Sequence, residues 1–336
     1  MKILNIYNEV TNTSIPHELE LYMAEKFKSD SFSHLRLKTI RDFLLNFRKA
    51  ITVIGDSDVI HSHHTFSSIL VSLYKILFLG RGKSFFCTVH RDYRTASKMT
   101  ALVFSLLVFP FRDKIICNSY ATKASLPWYV RRFFSNKIEV IYNGINLSNM
   151  SCSINFPLKK LHLIAVGRLV ADKDQITLLK MCGFLTKKKV DYHLTICGGG
   201  PLEELLKQEI DKRDLIGSVS LPGNLSRSDV YERLSKSSIY ISTSTTEGFG
   251  NSSIEAMASG CPAVVSDIPV HTEIMGCQQL KFPVGDYVKL SNKIIRLGDD
   301  KSHFRKVALN GVKKSKEYSL EAAANAYHSL YAEVSV

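Results

Sequence analysis

The chain is poor in several features that would assign it to a class at once. Its seven cysteines (Cys87, Cys117, Cys152, Cys182, Cys197, Cys261, Cys277) are odd in number, and no two form a CxxC pair. Neither a disulfide framework nor a zinc ribbon is expected, and a reducing cytoplasm suits them. No apolar run reaches the roughly 20 residues that cross a bilayer. The longest, Met99 to Phe111 (MTALVFSLLVFPF), is bounded by Lys98 and Arg112. It reads as a buried helix, with a helix dipping into a membrane face beside its basic flanks as the alternative. The first residues, MKILNIYNEV, lack the apolar core and cleavage site of a secretory leader and read as a β-strand. With 9 Pro and 18 Gly there is no low-complexity character.

The chain does have ordinary globular bulk, 45% hydrophobic and 22% charged over 336 residues, enough for two domains with a core each. Its formal charge is +13, and an excess of this kind favours phosphate-bearing partners. Residues 1–150 hold 20 basic against 11 acidic residues, so most of the surplus is N-terminal. A basic nucleic-acid-binding protein is the bland reading of such a charge. No RNP-like run, zinc spacing or aromatic-interleaved basic strand supports it.

Short β-branched runs alternate with amphipathic stretches, the pattern of βα units and parallel sheets. Strands are expected at Lys2 to Tyr7, Asp58 to Ser62, Ser84 to Val89, Lys114 to Cys117 and Glu139 to Tyr142, closing a first domain near residue 145. Residues 146–160 lose periodicity and read as a linker. A second series, residues 161–318, has strands at Leu161 to Val166, Tyr192 to Cys197, Ser218 to Leu221, Ile239 to Thr243, Ala263 to Ser266 and Gln279 to Phe282. Residues 319–336 form a last helical pattern. The expected fold class is α/β, two Rossmann-like doubly wound parallel-sheet domains facing a central cleft. Ligands in such sheets sit beyond the C-terminal ends of strands, so the loops there carry the chemistry.

After Leu161 to Val166 come Gly167, Arg168 and Lys173, a close backbone approach with a planar fork and a point charge suited to a diphosphate. A solvated basic turn is the alternative. After Tyr192 to Cys197 come Gly198, Gly199, Gly200 and Pro201, which fit neither a GxGxxG fingerprint nor a phosphate loop. Ligand contact and a tight turn both remain open there. The most specific stretch is STSTTEGFGNSSIEAMASG, Ser242 to Gly260. Glu247, Gly248, Phe249 and Gly250 form a loop, and Asn251, Ser252 and Glu255 open a helix. On one continuous helix the two carboxylates would face about 80° apart, but with one on the loop both can meet an elongated polyol. The helix terminus between them suits a phosphate. The alternative is a Glu255 that merely complements its own helix dipole. His90 closes the strand SFFCTV, and His61, His63 and His64 stand at the end of another strand, where a metal cluster and an acceptor-shaped wall are both conceivable.

Glu247 and Glu255, spaced E-x7-E, together with Gly167-Arg168 and Lys173, the segment VIYNGIN (Val140 to Asn146) and the Gly198 to Pro201 turn, resemble the retaining nucleotide-sugar glycosyltransferases of family 4, which have the GT-B fold. The match covers most of residues 139–275. The resemblance implies that Arg168 and Lys173 neutralise the donor diphosphate, that Glu247 holds hydroxyls of the transferred sugar, and that Glu255 holds the ribose hydroxyls. It further implies that the backbone of Gly248, Phe249, Gly250, Asn251 and Ser252 touches sugar and phosphate. Gly167, Gly199 and Gly200 then line the donor, and His90 approaches the donor sugar. The chain departs from the family after its first strand, where NEVTNTSIPHE has no Gly-Gly turn and Thr11 to Ser14 replace it only in part, and at Asn146, where Asp is frequent.

The resulting expectation is a metal-independent hexosyltransferase that uses a UDP- or GDP-linked sugar as co-substrate, with no cofactor. Its acceptor would be a hydroxyl of a glycan or lipid-linked glycan in surface polysaccharide assembly. It would sit in the cytoplasm, peripherally on an anionic inner membrane face, and would not bind nucleic acid. A catalytically degenerate GT-B scaffold is the alternative.

Overall fold

The computed structural model describes residues 1–7, 15–36, 47–78, 82–276 and 280–334. The expected contribution of Thr11 to Ser14, residue Cys277 and the start of a strand at Gln279 lie outside them. The described chain divides into two compact units, Met1–Gly144 with Leu320–Val336, and Ile145–Ser319.

In the first unit six parallel strands are β1 (Lys2–Tyr7), β2 (Ser31–Arg36), β3 (Val59–Ser62), β4 (Ser84–Val89), β5 (Lys114–Cys117) and β6 (Ile138–Val140), in the order β2-β1-β3-β4-β5-β6. β3 and β4 are buried along their whole length, as strands covered on both faces must be. The strand β2 is absent from the sequence reading. As an edge strand with exposed Ser and His it carries little apolar signal. The helices Ile15–Lys26 and Leu320–Val334 cover one face, where Ala324, Tyr327 and Tyr331 pack on Ile3, Val59 and Phe86.

The stretch expected as a buried helix, Met99 to Phe111, is a helix of three pitches. An α-helix over Lys98–Val103 passes into a π-helical turn over Phe104–Val108 and a 3-10 turn over Phe109–Phe111. It is buried on one side only: Phe104, Val108 and Phe109 are in the core, while Met99, Leu102, Leu106 and Leu107 are exposed. A run of apolar residues has no periodicity to tell its two sides apart, so the sequence signal overstated the burial.

In the second unit the strands are β7 (Leu161–Val166), β8 (Tyr192–Cys197), β9 (Val219–Gly223), β10 (Ile239–Ser242), β11 (Ala263–Ser266) and β12 (Leu280–Phe282), all parallel, in the order β12-β11-β10-β7-β8-β9. The strand order reverses between β7 and β10, the point at which an open α/β sheet leaves a crevice above its carboxyl edge. Residues 146–160 carry no helix or strand, yet they pack on this unit. Phe156 meets Phe304 edge to face at 5.3 Å, and Ser153 N–H donates to Ser259 C=O at 3.0 Å. No helix of the described residues is long and apolar enough to cross a membrane.

Candidate active site

The loops after β7 and β10 meet at the switch point of the second sheet. After β7 the chain turns through Gly167 and Arg168 into a 3-10 turn, Ala171–Lys173, and Asp174 takes a left-handed conformation (φ 46°) before the helix Gln175–Lys187. This turn presents Lys173 towards the loop after β10. Thr243 Oγ1 donates to Lys173 C=O at 2.8 Å, and Thr245 N–H donates to Asp172 C=O at 2.8 Å, so the two loops are stitched together. Lys173 Nζ pairs with Glu247 Oε1, and that same oxygen accepts from Ser244 Oγ at 2.8 Å. The Lys173 and Glu247 side chains are 24% and 13% exposed, so water screens the pair only in part. Arg168 is exposed, with its C=O held by Gln175 Nε2 at 2.9 Å.

Two of the three glycines after β8, Gly198 and Gly200, are required by chain crossing. A Cβ on Gly198 would lie 2.0 Å from Gly167 O, and one on Gly200 would lie 2.5 Å from Leu169 O. One on Gly199 would lie 2.7 Å from Asn224 Nδ2. The loops after β7 and β8 thus run against each other, tied by Leu169 N–H to Gly199 C=O at 3.0 Å. Close backbone packing accounts for Gly198 and Gly200 without a ligand, while Gly199 faces only the Asn224 side chain. Gly250, in contrast, sits at φ 85° at the start of the helix Asn251–Ala258 and turns the loop into it.

Glu255 is buried within that helix and reaches the helix Arg227–Lys236. Its Oε1 accepts from Tyr231 OH at 3.4 Å and lies 3.6 Å from Arg227 Nη2. Glu255 is therefore paired across helices, a role beyond complementing its own dipole. Ser252 Oγ bonds Tyr240 OH at 2.8 Å. The Phe249 ring is buried against Tyr318 at 5.6 Å, so its side chain serves the core, and its backbone is the part available to the loop.

In the first unit His90 follows β4 and lies half-buried beside His63, with Nε2 to Nδ1 at 3.4 Å. A cavity of about 280 Å³ is lined there by His63, His64, Thr88, His90, Arg91 and Tyr93 among others. His61 is wholly buried, its Nδ1 at 2.6 Å from Tyr331 OH and its Nε2 at 2.7 Å from Thr88 Oγ1. Burial, with the neighbouring His90 and Arg112, pushes its pKa down to about 3, and His90 is likewise down to about 3 by burial and the adjacent His64. Both rings of His61 and His63 are committed to hydrogen bonds, and neither belongs to a metal-holding group among the described residues. One such group is present elsewhere: His17, Glu20 and His34, where Glu20 also accepts from Tyr7 OH at 3.0 Å.

The same architecture occurs in known proteins. The crystal structure of Anabaena HepE in complex with UDP and glucose superposes with a TM-score of 0.81 at 16% identity, over 99% of this chain and all of that one. The model of Glycosyltransferase Family 4 matches residues 16–149, and that of Glycosyl transferases group 1 matches residues 149–314. An uncharacterized glycosyltransferase of Haemophilus influenzae is 30% identical over 74% of this chain and 67% of its own length. The chain belongs to the GT-B glycosyltransferases. The O-antigen biosynthesis glycosyltransferase WclY of Escherichia coli is 24% identical to it over 99% of this chain and 95% of that one. Across the curated relatives it matches, the glycosyltransferase spans from 25% to 95% of their length.

Three residues packed against these loops and the helix that carries Glu255 escaped the sequence reading. Arg227 and Tyr231 lie on a helix whose pattern signals only a solvated face, and their link to Glu255 is visible in three dimensions alone. His271, in the helix Pro269–Met275, is fully buried, with Nδ1 at 2.9 Å from Ser266 C=O and no hydrogen-bond partner for Nε2 among the described residues. A Cβ on Gly250 would stand 3.7 Å from that Nε2. Burial lowers the His271 pKa, against the opposing pull of the Ser266 carbonyl and Glu247. A neutral imidazole thus backs the loop Gly248–Gly250.

Proposed function

We propose that the chain is a retaining hexosyltransferase moving a sugar from a UDP- or GDP-linked donor to a hydroxyl of a glycan or lipid-linked glycan in surface polysaccharide assembly. The observation that carries this reading is the Lys173–Glu247 pair at the switch point of the second sheet, with Glu255 held in the adjoining helix. When the bond from the anomeric carbon to the phosphate oxygen breaks, its electron pair goes to the diphosphate and positive charge builds on the sugar ring. Lys173 and Arg168 offset the first without a metal, and preorganised charges of this kind supply a large share of catalysis. Lys173 has three donors, so it can keep Glu247 while taking a phosphate oxygen. Glu247 accepts from the sugar's hydroxyls, and Glu255 from the ribose pair.

Relatives support the substrate classes: O-antigen biosynthesis for the Escherichia coli protein, and UDP with glucose for the Anabaena structure. In this reading the histidine-lined cavity of the first unit, with His90 in its wall, receives the acceptor. The basic first unit favours an acceptor borne on the anionic inner face of the cell membrane, where each Lys or Arg gains about 1 kcal/mol. The test is a panel of UDP- and GDP-sugars with release of the nucleoside diphosphate as readout. Release by wild type and its loss in Lys173→Ala and Glu247→Ala are expected, and equal turnover in all three would defeat the reading.

A further inference from the structure

The first unit carries a surface that neither the donor site nor the histidine cavity uses. From Thr65 to Lys137 the chain holds twelve Lys and Arg, of which Arg112 is buried and Arg91 lines the histidine cavity, against two acidic residues, Asp92 and Asp113. Both acids are already engaged, Asp92 by Arg94 and Asp113 by Lys75. On this cationic background two neighbouring elements turn apolar side chains outward. The helix Thr65–Leu77 exposes Leu73, Ile76 and Leu77, spaced three and four apart on one face. The three-pitch helix beside it exposes Met99, Leu102 and Leu106, again one stripe, while Phe104 and Val108 turn inward. The two elements pack side by side, and the fully buried Arg112 ties them, its Nη2 donating to Ser68 C=O at 2.6 Å. A third helix, Trp128–Phe133, joins them through Tyr129 OH and Ser105 Oγ at 3.2 Å. It presents Trp128, 70% exposed, followed by the exposed Arg131 and Arg132.

Exposed stripes of Leu and Met, an exposed Trp and a surplus of arginine together form the composition of a surface that lies in a lipid interface. A second copy of the chain would set cations against cations, which disfavours self-association through this face. We propose that this face of the first unit docks on an anionic bilayer, with Leu73, Leu77, Leu102 and Leu106 entering the headgroup and acyl boundary and the arginines meeting lipid phosphates. This proposal rests on the membrane-borne acceptor of the previous section and names the surface that would meet it.

The experiment uses the full chain and vesicles of phosphatidylcholine, alone or with 30 mol% phosphatidylglycerol as a working composition of roughly bacterial charge. The chain's single tryptophan is Trp128, so its fluorescence is a built-in reporter. Co-sedimentation with the anionic vesicles, a blue shift of Trp128 emission and its quenching by brominated lipid are expected. The pair Leu102→Ser with Leu106→Ser is expected to lower vesicle partitioning at least tenfold, with donor turnover in solution kept. Leu158→Ser, at an exposed leucine of the second unit, is expected to bind as wild type. Vesicle binding undiminished in the double variant, or without any change in Trp128, would overturn this surface while leaving the membrane reading intact. No vesicle binding at all would overturn both, and donor turnover would still report on the glycosyl-transfer reading. A concentration-dependent dimer without lipid, abolished by the double variant, would assign the face to self-association and overturn the proposal.

Discussion

Lys173 and Glu247, seventy-four positions apart in sequence, share one ion pair above the point where the strand order of the second sheet reverses. Two loops that leave neighbouring strands thereby deliver a cation and a carboxylate to one spot, and each orients the other. Lys173→Ala is expected to lower kcat by roughly a hundred- to a thousandfold, as for loss of one preorganised charge at a reacting centre. The double variant with Glu247→Gln should fall little further, because the pair acts as a unit. Steady-state kinetics with a cognate donor measures both, and additive losses would contradict the coupling.

Arg227 approaches Glu255 at 3.6 Å, and in the proposed reading it acts on the donor through that carboxylate. Arg227→Ala should raise the donor KM about tenfold with kcat nearly kept, since it disturbs a group that binds the ground and transition states alike. On a Glu255→Gln background the same change should have no further effect on KM. A drop in kcat at unchanged KM would assign Arg227 a different role.

Gly198 stands at φ 136°, and its missing Cβ leaves room for Gly167 O. Gly198→Ala should cost roughly 2–3 kcal/mol from strain and collision together. At the usual scaling this lowers the melting midpoint by about 5–10 °C. Gly217→Ala meets nothing within 4 Å and should leave the midpoint unchanged, so thermal melts of the two variants form a matched pair.

Acid should weaken the first unit. His61 is buried and neutral, with a folded pKa of about 3 against about 6.5 when unfolded. Between those values the unfolded chain holds a proton that the folded one does not, so stability falls as pH drops. The contribution is complete above about pH 6.5 and is lost progressively towards pH 3. Melting midpoints measured from pH 7.5 to 4 should decline, and His61→Asn should flatten the decline even if it lowers the starting value. A slope unchanged in that variant would remove His61 from the account.

Much of this architecture was legible in the residues. β1, β4, β5, β7, β8 and β11 run as their apolar strings suggest, because central parallel strands are hydrophobic on both faces and announce themselves. β2 did not, since SFSHLR at a sheet edge has only Leu35 buried. The loops that carry Lys173 and Glu247, and the helix that carries Glu255, were legible because they are punctuated by glycine and preceded by clear strands. The reason for Gly198 to Gly200 was not, since a short contact with a different loop leaves no mark on a single sequence. The same holds for Arg227 and His271, whose neighbours lie tens of residues away. The helix starting at Lys98 was misjudged for a different cause: from Ala101 to Phe111 every residue but Ser105 is apolar, and only packing decides which half faces water.

The chain passes from the first unit into the second at Ile145 and back again after Ser319, and these two points are neighbours. Ile145 N–H donates to Tyr318 C=O at 2.8 Å, and Ile145 and Ser319 form a parallel bridge. The second unit is thus a cassette with its two ends fastened side by side, and such a segment can be cut out at residues 145 and 319 and made alone, or exchanged for another of the same kind, without opening either sheet. Swapping that cassette between relatives would transplant the Lys173, Glu247 and Glu255 constellation whole, and would leave the helix Leu320–Val334 behind with the body it covers.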